Sequence, residues 1–337
     1  MNAPEPGSFG PKMATEPLLH RVLADLGQIA GATERFRADQ VLKKDELFAA
    51  VEDGEPPRKL ICYLAGPAMG GIDLSDAAPI GSMLDAIGTC ERLDLMINSP
   101  GGSGEAAEKL IEMCRAHCTE QFRVIVPNFA KSAATMIALG ADVIVMGYAS
   151  ELGPIDPQYQ ISVGNTIQFV SGQSFIQAYD AAQASVKAAI AAGDSPVGFL
   201  QSLSTTTMEP AFIEECRRGI EFSRDIAKKF LPKYQLPALH RARGETRSAS
   251  ALRRRAARIA EDLLSAKARF SHGRLISAGE ARDDVGLHIE LLDREDPLWN
   301  EYWELYVRAE VYMQTAAAGE ARVAKIFFDR VSTLPAY

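Results

Sequence analysis

The sequence has few of the features that mark secreted or membrane-spanning proteins. It holds five cysteines among 337 residues, an odd number without the spacing of a disulfide framework, at positions 62, 90, 114, 118 and 216. Free thiols are typical of a reducing compartment, so we expect a cytoplasmic protein. Its longest apolar stretch, residues 133–149, is interrupted by Asp142 and by glycines. We therefore expect no transmembrane segment.

Signatures of nucleotide and nucleic-acid binding are also missing. No G-x-x-x-x-G-K-[ST] motif occurs, and the glycines near residue 101 do not have the G-x-G-x-x-G spacing. The formal net charge is −8, and a chain this acidic is not expected to bind nucleic acid. The one basic run, residues 253–255, is typical of a solvated helix face. We predict no cofactor.

A metal site is not expected either. Cys114, His117 and Cys118 have a spacing that could share one helix face and bind a metal ion. The same helix carries apolar residues at Leu110 and Ile111, and this pattern favours packing in a core.

Strands and helices alternate through the first half of the chain. Apolar, β-rich segments occur at residues 59–67, 93–98, 122–128 and 142–147, with helical patterns at 79–90, 103–118 and 132–141. This alternation predicts parallel strands joined by right-handed crossovers. Helical patterns also occur at residues 17–53, 174–192, 210–231, 250–268 and 297–316, with a polar connection at 237–251.

Two strand-to-helix junctions carry residues that suggest chemistry. In "INSPGGSGEAAEKL" (97–110), Gly101 and Gly102 lack the side chains that would keep an anion from converging backbone N–H groups. In "VPNFAKSAATMIALGAD", Ser132 stands at a helix start, where the N–H of Ala133 is placed to stabilise negative charge. The simpler alternatives are a tight turn and a serine N-cap.

Taken in order, these motifs resemble the Clp-protease/crotonase superfamily. "INSPGG", the serine after the next strand, "ALGAD", "ASELGPIDPQ" and "SHGRLISAGEARDDVGL" are similar to the serine dehydrogenase proteinase (SDH) family of ClpP-fold serine proteinases. The resemblance covers residues 59–160, and less strongly 268–292. It implies an α/β fold of repeated β-β-α units, a parallel sheet with crossover helices and added helical segments at both ends.

The resemblance also implies domain boundaries. We predict an N-terminal loose segment and helix over residues 1–55. A protease domain follows over 56–295, with a helical insertion at about 172–268. An amphipathic helical tail over 296–337 ends the chain.

The resemblance further implies catalytic roles. Ser132 matches the nucleophile, and the N–H groups of Gly101 and Ala133 match the oxyanion donors. Asp156 and His272 would complete a Ser-Asp-His triad, in which the imidazole takes the serine proton and the carboxylate orients the ring. The segment just after the glycine pair, Gly102 and Ser103, is expected to bind an extended peptide by β-addition.

These roles predict an ATP-independent serine endopeptidase that acts on peptides or proteins and forms a homo-oligomer. Any unfoldase or adaptor would be a separate partner. A Ser-Lys dyad, as in signal peptide peptidase A, is an alternative with Lys187 as the base, and His288 is the reserve histidine. A crotonase-like acyl-CoA enzyme would instead use Glu105 and Glu151. A non-catalytic scaffold, assembled through the aromatic tail around Trp303, is the last alternative.

Overall fold

The predicted parallel strands form the centre of the fold. The computed structural model describes residues 18–29, 34–66, 70–163, 166–195, 197, 210–264, 275–315 and 323–336. Within these ranges the strands are β1 (Lys59–Ala65), β2 (Cys90–Asn98), β3 (Cys118–Val126), β4 (Phe129–Ala130), β5 (Val143–Met146), β6 (Glu151–Leu152), β7 (Gln158–Val163), β8 (Thr166–Ser171), β9 (Ile276–Ser277), β10 (Ile289–Leu291), β11 (Lys325–Phe328) and β12 (Thr333–Ala336).

Helices cover both faces of this sheet. In the same ranges they are α1 (Leu18–Gln28), α2 (Glu34–Leu42), α3 (Lys44–Glu52), α4 (Ala77–Ile87), α5 (Gly104–His117), α6 (Ala133–Leu139), α7 (Gly172–Ala192), α8 (Pro210–Phe230), α9 (Gln235–Ala242), α10 (Ala249–Leu264), α11 (Ala278–Glu280) and α12 (Pro297–Thr315). The α/β fold class predicted from the sequence is confirmed.

The main sheet has seven strands in the order β10-β5-β3-β2-β1-β11-β12. The first five are parallel, whereas β11 and β12 each run antiparallel to their neighbours. A smaller sheet, β4-β6-β9, lies beyond the carboxyl ends of the parallel strands, and β7 and β8 form a separate hairpin. The predicted crossovers are therefore present, whereas the hairpin and the two C-terminal strands were not predicted from the sequence.

One predicted connection is wrong. Residues 237–251 were expected to be a polar link, but α9 (Gln235–Ala242) occupies their first part. Leu236 and Leu239 on this helix are buried, and their burial stabilises a helix too short to be recognised from periodicity alone. The helix predicted for residues 250–268 is present to Leu264, and its last residues lie outside the described ranges.

Alternation of side chains along each strand separates two cores. Ile61 and Tyr63 of β1 face α4, α5 and α6 in the first core. Leu60 and Cys62 face the opposite side, where α1, α2, α3 and α12 pack. The aromatic face predicted for the tail belongs to this second core, because Trp299 is 1% exposed there. The helices at the two ends of the chain thus cover the sheet face opposite α5 and α6.

A buried carboxylate links the sheet to α12. Asp94 on β2 is fully buried and accepts hydrogen bonds from Arg123 Nη2 at 2.7 Å, Tyr302 Oη at 3.0 Å and Arg58 Nη1 at 3.1 Å. Burial opposes the charge of Arg123, yet the facing carboxylate raises the pKa of its guanidinium above the ordinary value. Arg123 also reaches Glu290, whose side chain is 41% exposed.

Replacing this carboxylate tests its structural role. We expect Asp94→Ala to lower the free energy of unfolding by about 3–5 kcal/mol, because it leaves buried guanidinium groups without their anion. Glu290→Gln is the matched control and should cost about 0–1 kcal/mol, since that pair is solvated. Urea unfolding followed by circular dichroism measures both. Equal small losses in the two variants would contradict this role.

Candidate active site

The candidate site lies at the carboxyl ends of the parallel strands. β2 ends at Asn98 and leads into the glycine pair, and β3 leads through β4 to Ser132. The side chain of Asn98 joins the two junctions, since its Oδ1 accepts a hydrogen bond from the Phe129 N–H at 2.9 Å. A second link is the Lys131 N–H, which donates to the Ser99 carbonyl at 3.0 Å. Loops at this edge of an open α/β sheet are the usual place for a binding site.

Ser132 has an unusual backbone conformation. Its φ is +48° and its ψ is −113°, a region that L-residues with a side chain rarely adopt. Its hydroxyl makes no capping hydrogen bond to α6, so the N-cap alternative does not describe it. The residue is partly exposed and lines a cavity of about 520 Å³. A strained serine at a sharp strand-to-helix turn is the geometry that presents a nucleophile.

Neighbouring atoms leave no room for a side chain at Gly101 or Gly102. Gly101 has φ +109°, and a Cβ added there would lie 2.8 Å from the Cβ of Ser132. Gly102 has φ +144°, and an added Cβ would lie 2.2 Å from the carbonyl oxygen of Ile72. A tight turn alone therefore does not explain the glycines. The absence of side chains also lets this loop contact the Ser132 turn directly.

The available N–H groups differ from the predicted pair. The Gly101 N–H donates to Ser99 Oγ at 3.2 Å. The N–H groups of Gly102 and Ala133 have no hydrogen-bond partner within the described ranges. Within the described residues, Gly102 and Ala133 thus keep N–H groups that a ligand could use, and the role of Gly101 stays a prediction. Sequence reasoning could not distinguish the two glycines, because the decisive bond comes from a side chain of the same turn.

The segment predicted to bind substrate is partly paired. The Ile72 N–H donates to the Gly101 carbonyl at 2.6 Å, and the Ser103 N–H donates to the Ile72 carbonyl at 2.8 Å. Alternate residues of an extended segment direct their N–H and C=O groups to opposite sides. Gly102 therefore keeps its backbone groups on the side away from Ile72. The Ser103 hydroxyl caps α5 by accepting from the Ala106 N–H at 3.1 Å.

Asp156 lies in the segment that runs beside the serine turn. Its side chain is buried, 3% exposed, and accepts a hydrogen bond from Gln158 Nε2 at 2.9 Å. Three residues earlier, the Gly153 N–H donates to the Ala130 carbonyl at 3.1 Å. The next residues, Pro157 to Tyr159, line the same cavity as Ser132. The structure thus brings the predicted serine and aspartate segments to one edge of the sheet.

His272 lies outside the described residues, so its role stays a prediction. His288 is at the opposite edge of the sheet, where its Nδ1 lies 2.8 Å from the Asp142 carbonyl, and burial lowers its pKa. His117 ends α5 just before β3 and belongs to that opposite edge too. His240 Nδ1 contacts Glu245 at 3.0 Å, and His20 is exposed on α1. The topology does not bring the reserve candidate His288 to Ser132.

The residues named for the Ser-Lys dyad and for crotonase-like chemistry are far along a helix, ion-paired or at the cavity rim. Lys187 is exposed on α7, 15 residues after Gly172, which is about 22 Å along a helix. α7 begins at Gly172, whose N–H donates to the carbonyl of Pro157 at the cavity at 2.9 Å. Lys131 Nζ pairs with Glu151 Oε1 at 2.5 Å, so the carboxylate proposed for crotonase chemistry has a cation beside it. Glu105 is exposed at the rim of the cavity.

Apolar side chains form much of the cavity wall. Met136, Phe222 and Phe169 line it, and Phe222 packs on Gly104, where an added Cβ would lie 2.7 Å from its ring. Tyr159 donates its hydroxyl to the Glu215 carbonyl at 3.0 Å. Burial raises the pKa of Tyr159 to about 12, so it stays protonated at neutral pH and is unsuited to act as a base.

Metal binding finds no support in the described ranges, where no group of three or more histidine, cysteine or acidic side chains is arranged to hold an ion. Cys114 is buried in the first core, and burial raises the pKa of its thiol to about 12. Among the helices in the described ranges, none combines the length and the apolar composition that a membrane span requires.

Comparison with known families agrees with this geometry. Residues 57–182 match the family described as ClpP-like SDH-type serine proteinase. The match covers 126 of the 337 residues of the chain. The SDH-type region includes both glycines, Ser132 and Asp156, and it ends before α8, α10 and His272. The resemblance inferred from the motifs is therefore confirmed.

Curated relatives of this SDH-type region come from Methanocaldococcus jannaschii. Uncharacterized protein MJ0137 is 40% identical over 92 residues, which are 27% of this chain and 32% of that protein. Uncharacterized protein MJ1495 is 31% identical over 101 residues, which are 30% of this chain and 34% of that protein. The chain spans about a third of the length of these relatives.

Among solved structures, this chain is similar to the 1510-N membrane-bound stomatin-specific protease. A serine-to-alanine mutant of that protease is 13% identical, with a TM-score of 0.37 over 70% of this chain and 78% of that chain. A lysine-to-alanine mutant in complex with a substrate peptide is 21% identical, with a TM-score of 0.26 over 35% of this chain and 57% of that chain.

The hydroxyl of Thr135 links two segments of the candidate site. Its removal tests how much this link stabilises the fold. This buried group lies 2.7 Å from the Ala130 carbonyl and 2.9 Å from the Gly153 carbonyl, so it ties α6 to the segment before Asp156. Thr135→Val removes the hydroxyl without changing the shape. We expect it to cost about 1–3 kcal/mol in unfolding free energy.

Thr135→Ser keeps the hydroxyl and serves as the control for this variant. Its free energy of unfolding, measured in urea beside that of Thr135→Val, should stay closer to the wild-type value. A valine variant as stable as wild type would show that the hydroxyl does not hold the two segments together.

Proposed function

We propose that the protein is a serine endopeptidase that cleaves peptide bonds through an acyl-enzyme on Ser132. The observation that carries this proposal is the Ser132 turn, in which a strained serine whose hydroxyl does not cap α6 lines a cavity. The N–H groups of Gly102 and Ala133, in the adjoining turns, have no hydrogen-bond partner in the part of the chain that the structure describes. The family match over residues 57–182 supports the same chemistry.

The proposed reaction begins with attack of Ser132 Oγ on the carbonyl carbon of a bound peptide. His272 takes the serine proton, and Asp156 orients the imidazole and stabilises its charged form. The N–H groups of Gly102 and Ala133 donate to the oxyanion as the carbonyl becomes tetrahedral. His272 then protonates the leaving amine, and a water molecule hydrolyses the acyl-enzyme by the same steps in reverse order.

Ser132 and His272 come from distant parts of the sequence, and the aspartate segment lies between them along the chain. The geometry supports an aspartate near the serine, because the Gly153 N–H donates a hydrogen bond to the carbonyl of Ala130, two residues before Ser132. A Ser-Lys dyad through Lys187 is disfavoured by the position of that lysine on α7. An acyl-CoA reaction is disfavoured by the ion pair that Glu151 makes with Lys131.

Covalent labelling tests the nucleophile. A fluorophosphonate probe should label the wild-type protein at Ser132, and Ser132→Ala should abolish the adduct, because only an activated hydroxyl reacts with such a probe. Ser223→Ala is the matched control, since Ser223 lines the same cavity but bonds to the Gly219 carbonyl at 3.1 Å. Peptide mapping by mass spectrometry locates the adduct. An adduct that persists in Ser132→Ala would exclude this nucleophile.

Turnover of an end-blocked, internally quenched peptide tests the base and the endopeptidase activity together. We expect His272→Ala to lower kcat by about 10²–10⁴-fold, the usual contribution of a general base. Lys187→Ala should retain wild-type turnover. The reverse pattern, with activity lost in Lys187→Ala and kept in His272→Ala, would replace the triad by the dyad.

The remaining parts of the proposal concern assembly and location. We propose that the peptidase is a cytoplasmic homo-oligomer that does not use ATP, and that any unfoldase or adaptor is a separate protein. Light scattering at micromolar concentration should give a mass above the 36.5 kDa of one chain. A monomer under these conditions would contradict the expected oligomer.

A further inference from the structure

A second cavity lies on the molecule away from Ser132. It has a volume of about 500 Å³ and is formed by α9, the start of α10 and the turn before β10. We call it the arginine cavity, after the residues Arg243, Arg247, Arg255 and Arg282 in its wall. Because this turn precedes β10, the cavity lies toward the amino ends of the parallel strands, opposite the candidate active site.

Carboxylates neutralise only part of this charge. Arg247 pairs with Glu245 at 3.0 Å, and Arg282 pairs with Asp283 at 2.9 Å. Within the described ranges, Arg243 and Arg255 have no carboxylate partner. Guanidinium groups that line one cavity repel each other, and a bound anion would relieve that repulsion.

The guanidinium group of Arg255 lies against the turn at Gly286. Arg255 Nη2 donates to the Val285 carbonyl at 3.4 Å, and it lies so close to Gly286 that an added Cβ would be 1.6 Å away. Gly286 has φ +83°, a conformation that glycine adopts without strain. This geometry holds the Arg255 guanidinium against the turn at the wall of the cavity.

The arginine cavity also has an apolar part. Leu239 of α9, which is 8% exposed, and Ala251 of α10 contribute it, with the fully buried Leu236 behind them. A guanidinium group binds phosphate oxygens with two parallel hydrogen bonds, which makes arginine the residue most suited to phosphate recognition. A volume of about 500 Å³ with both charged and apolar walls is within the usual range for small-molecule sites.

We propose that the arginine cavity binds a small phosphorylated molecule, with its phosphate groups between Arg243 and Arg255 and its organic part against Leu239 and Ala251. This site does not depend on the peptidase proposal, because none of its residues lines the Ser132 cavity. The proposal can therefore be tested by binding alone.

Calorimetric titration of the full chain with ADP and with inorganic pyrophosphate tests the site, at low ionic strength and at about 0.15 M. We expect saturable binding of both at one site per chain, weaker at the higher salt. Adenosine, which has no phosphate, should not bind. Tighter binding of ADP than of pyrophosphate is expected from the apolar wall. Failure of both phosphate ligands to bind would overturn the proposal.

Matched variants separate a built site from general charge. The double variant Arg243→Gln/Arg255→Gln should weaken ADP binding at least about tenfold, as expected for the loss of charge-assisted hydrogen bonds. Arg253→Gln/Arg254→Gln removes the same charge from exposed positions of α10 outside the cavity, and it should bind ADP as wild type does. Equal losses in the two double variants would overturn the proposal.

An acidic protein segment is the competing occupant. A hexaglutamate peptide titrated under the same conditions should bind more weakly than ADP. Tighter binding of the peptide, lost in Arg243→Gln/Arg255→Gln, would assign the arginine cavity to a protein partner and contradict the proposal. Thermal unfolding of each variant verifies that these exposed substitutions leave the fold intact.

Discussion

The site depends on the contact between two backbone turns at one edge of the sheet. Gly101 and Ser132 approach so closely that a Cβ on the glycine would lie 2.8 Å from the Cβ of the serine. Neighbouring parallel strands end at the same edge, so the loops after β2 and β3 necessarily meet there. A glycine in one loop and a strained serine in the other allow this close approach.

The rest of the fold supports this contact from both faces of the sheet. Behind the turns, α5 and α6 fill the first core, and Thr135 ties α6 to the segment that leads to Asp156. On the other face, the helices at the two ends of the chain pack as a second core, held to β2 by the buried Asp94. Parts of the chain outside the family match thereby contribute to the stability of the strands that position the site.

The sequence predicted those features that depend on local pattern. The parallel strands follow from alternation, and the serine and glycine junctions follow from residue types that fit few other roles. Features that depend on tertiary pairing were missed. In the hairpin of β7 and β8, Ile167 and Phe169 of β8 are exposed, so this hairpin is not among the buried strands that apolar runs reveal. The Gly101 N–H donates a hydrogen bond to Ser99 Oγ within one turn, a contact that no spacing rule reveals.

A crystal structure of the protein with a fluorophosphonate bound covalently would test the central claim most directly. The account predicts a bond from Ser132 Oγ to phosphorus. It also predicts that the phosphonyl oxygen lies about 2.7–3.1 Å from the N atoms of both Gly102 and Ala133, the range of an oxyanion hole. The His272 ring should lie within hydrogen-bond distance of Ser132 Oγ. A phosphonyl oxygen that points to solvent, or a ring of His272 remote from the adduct, would contradict it.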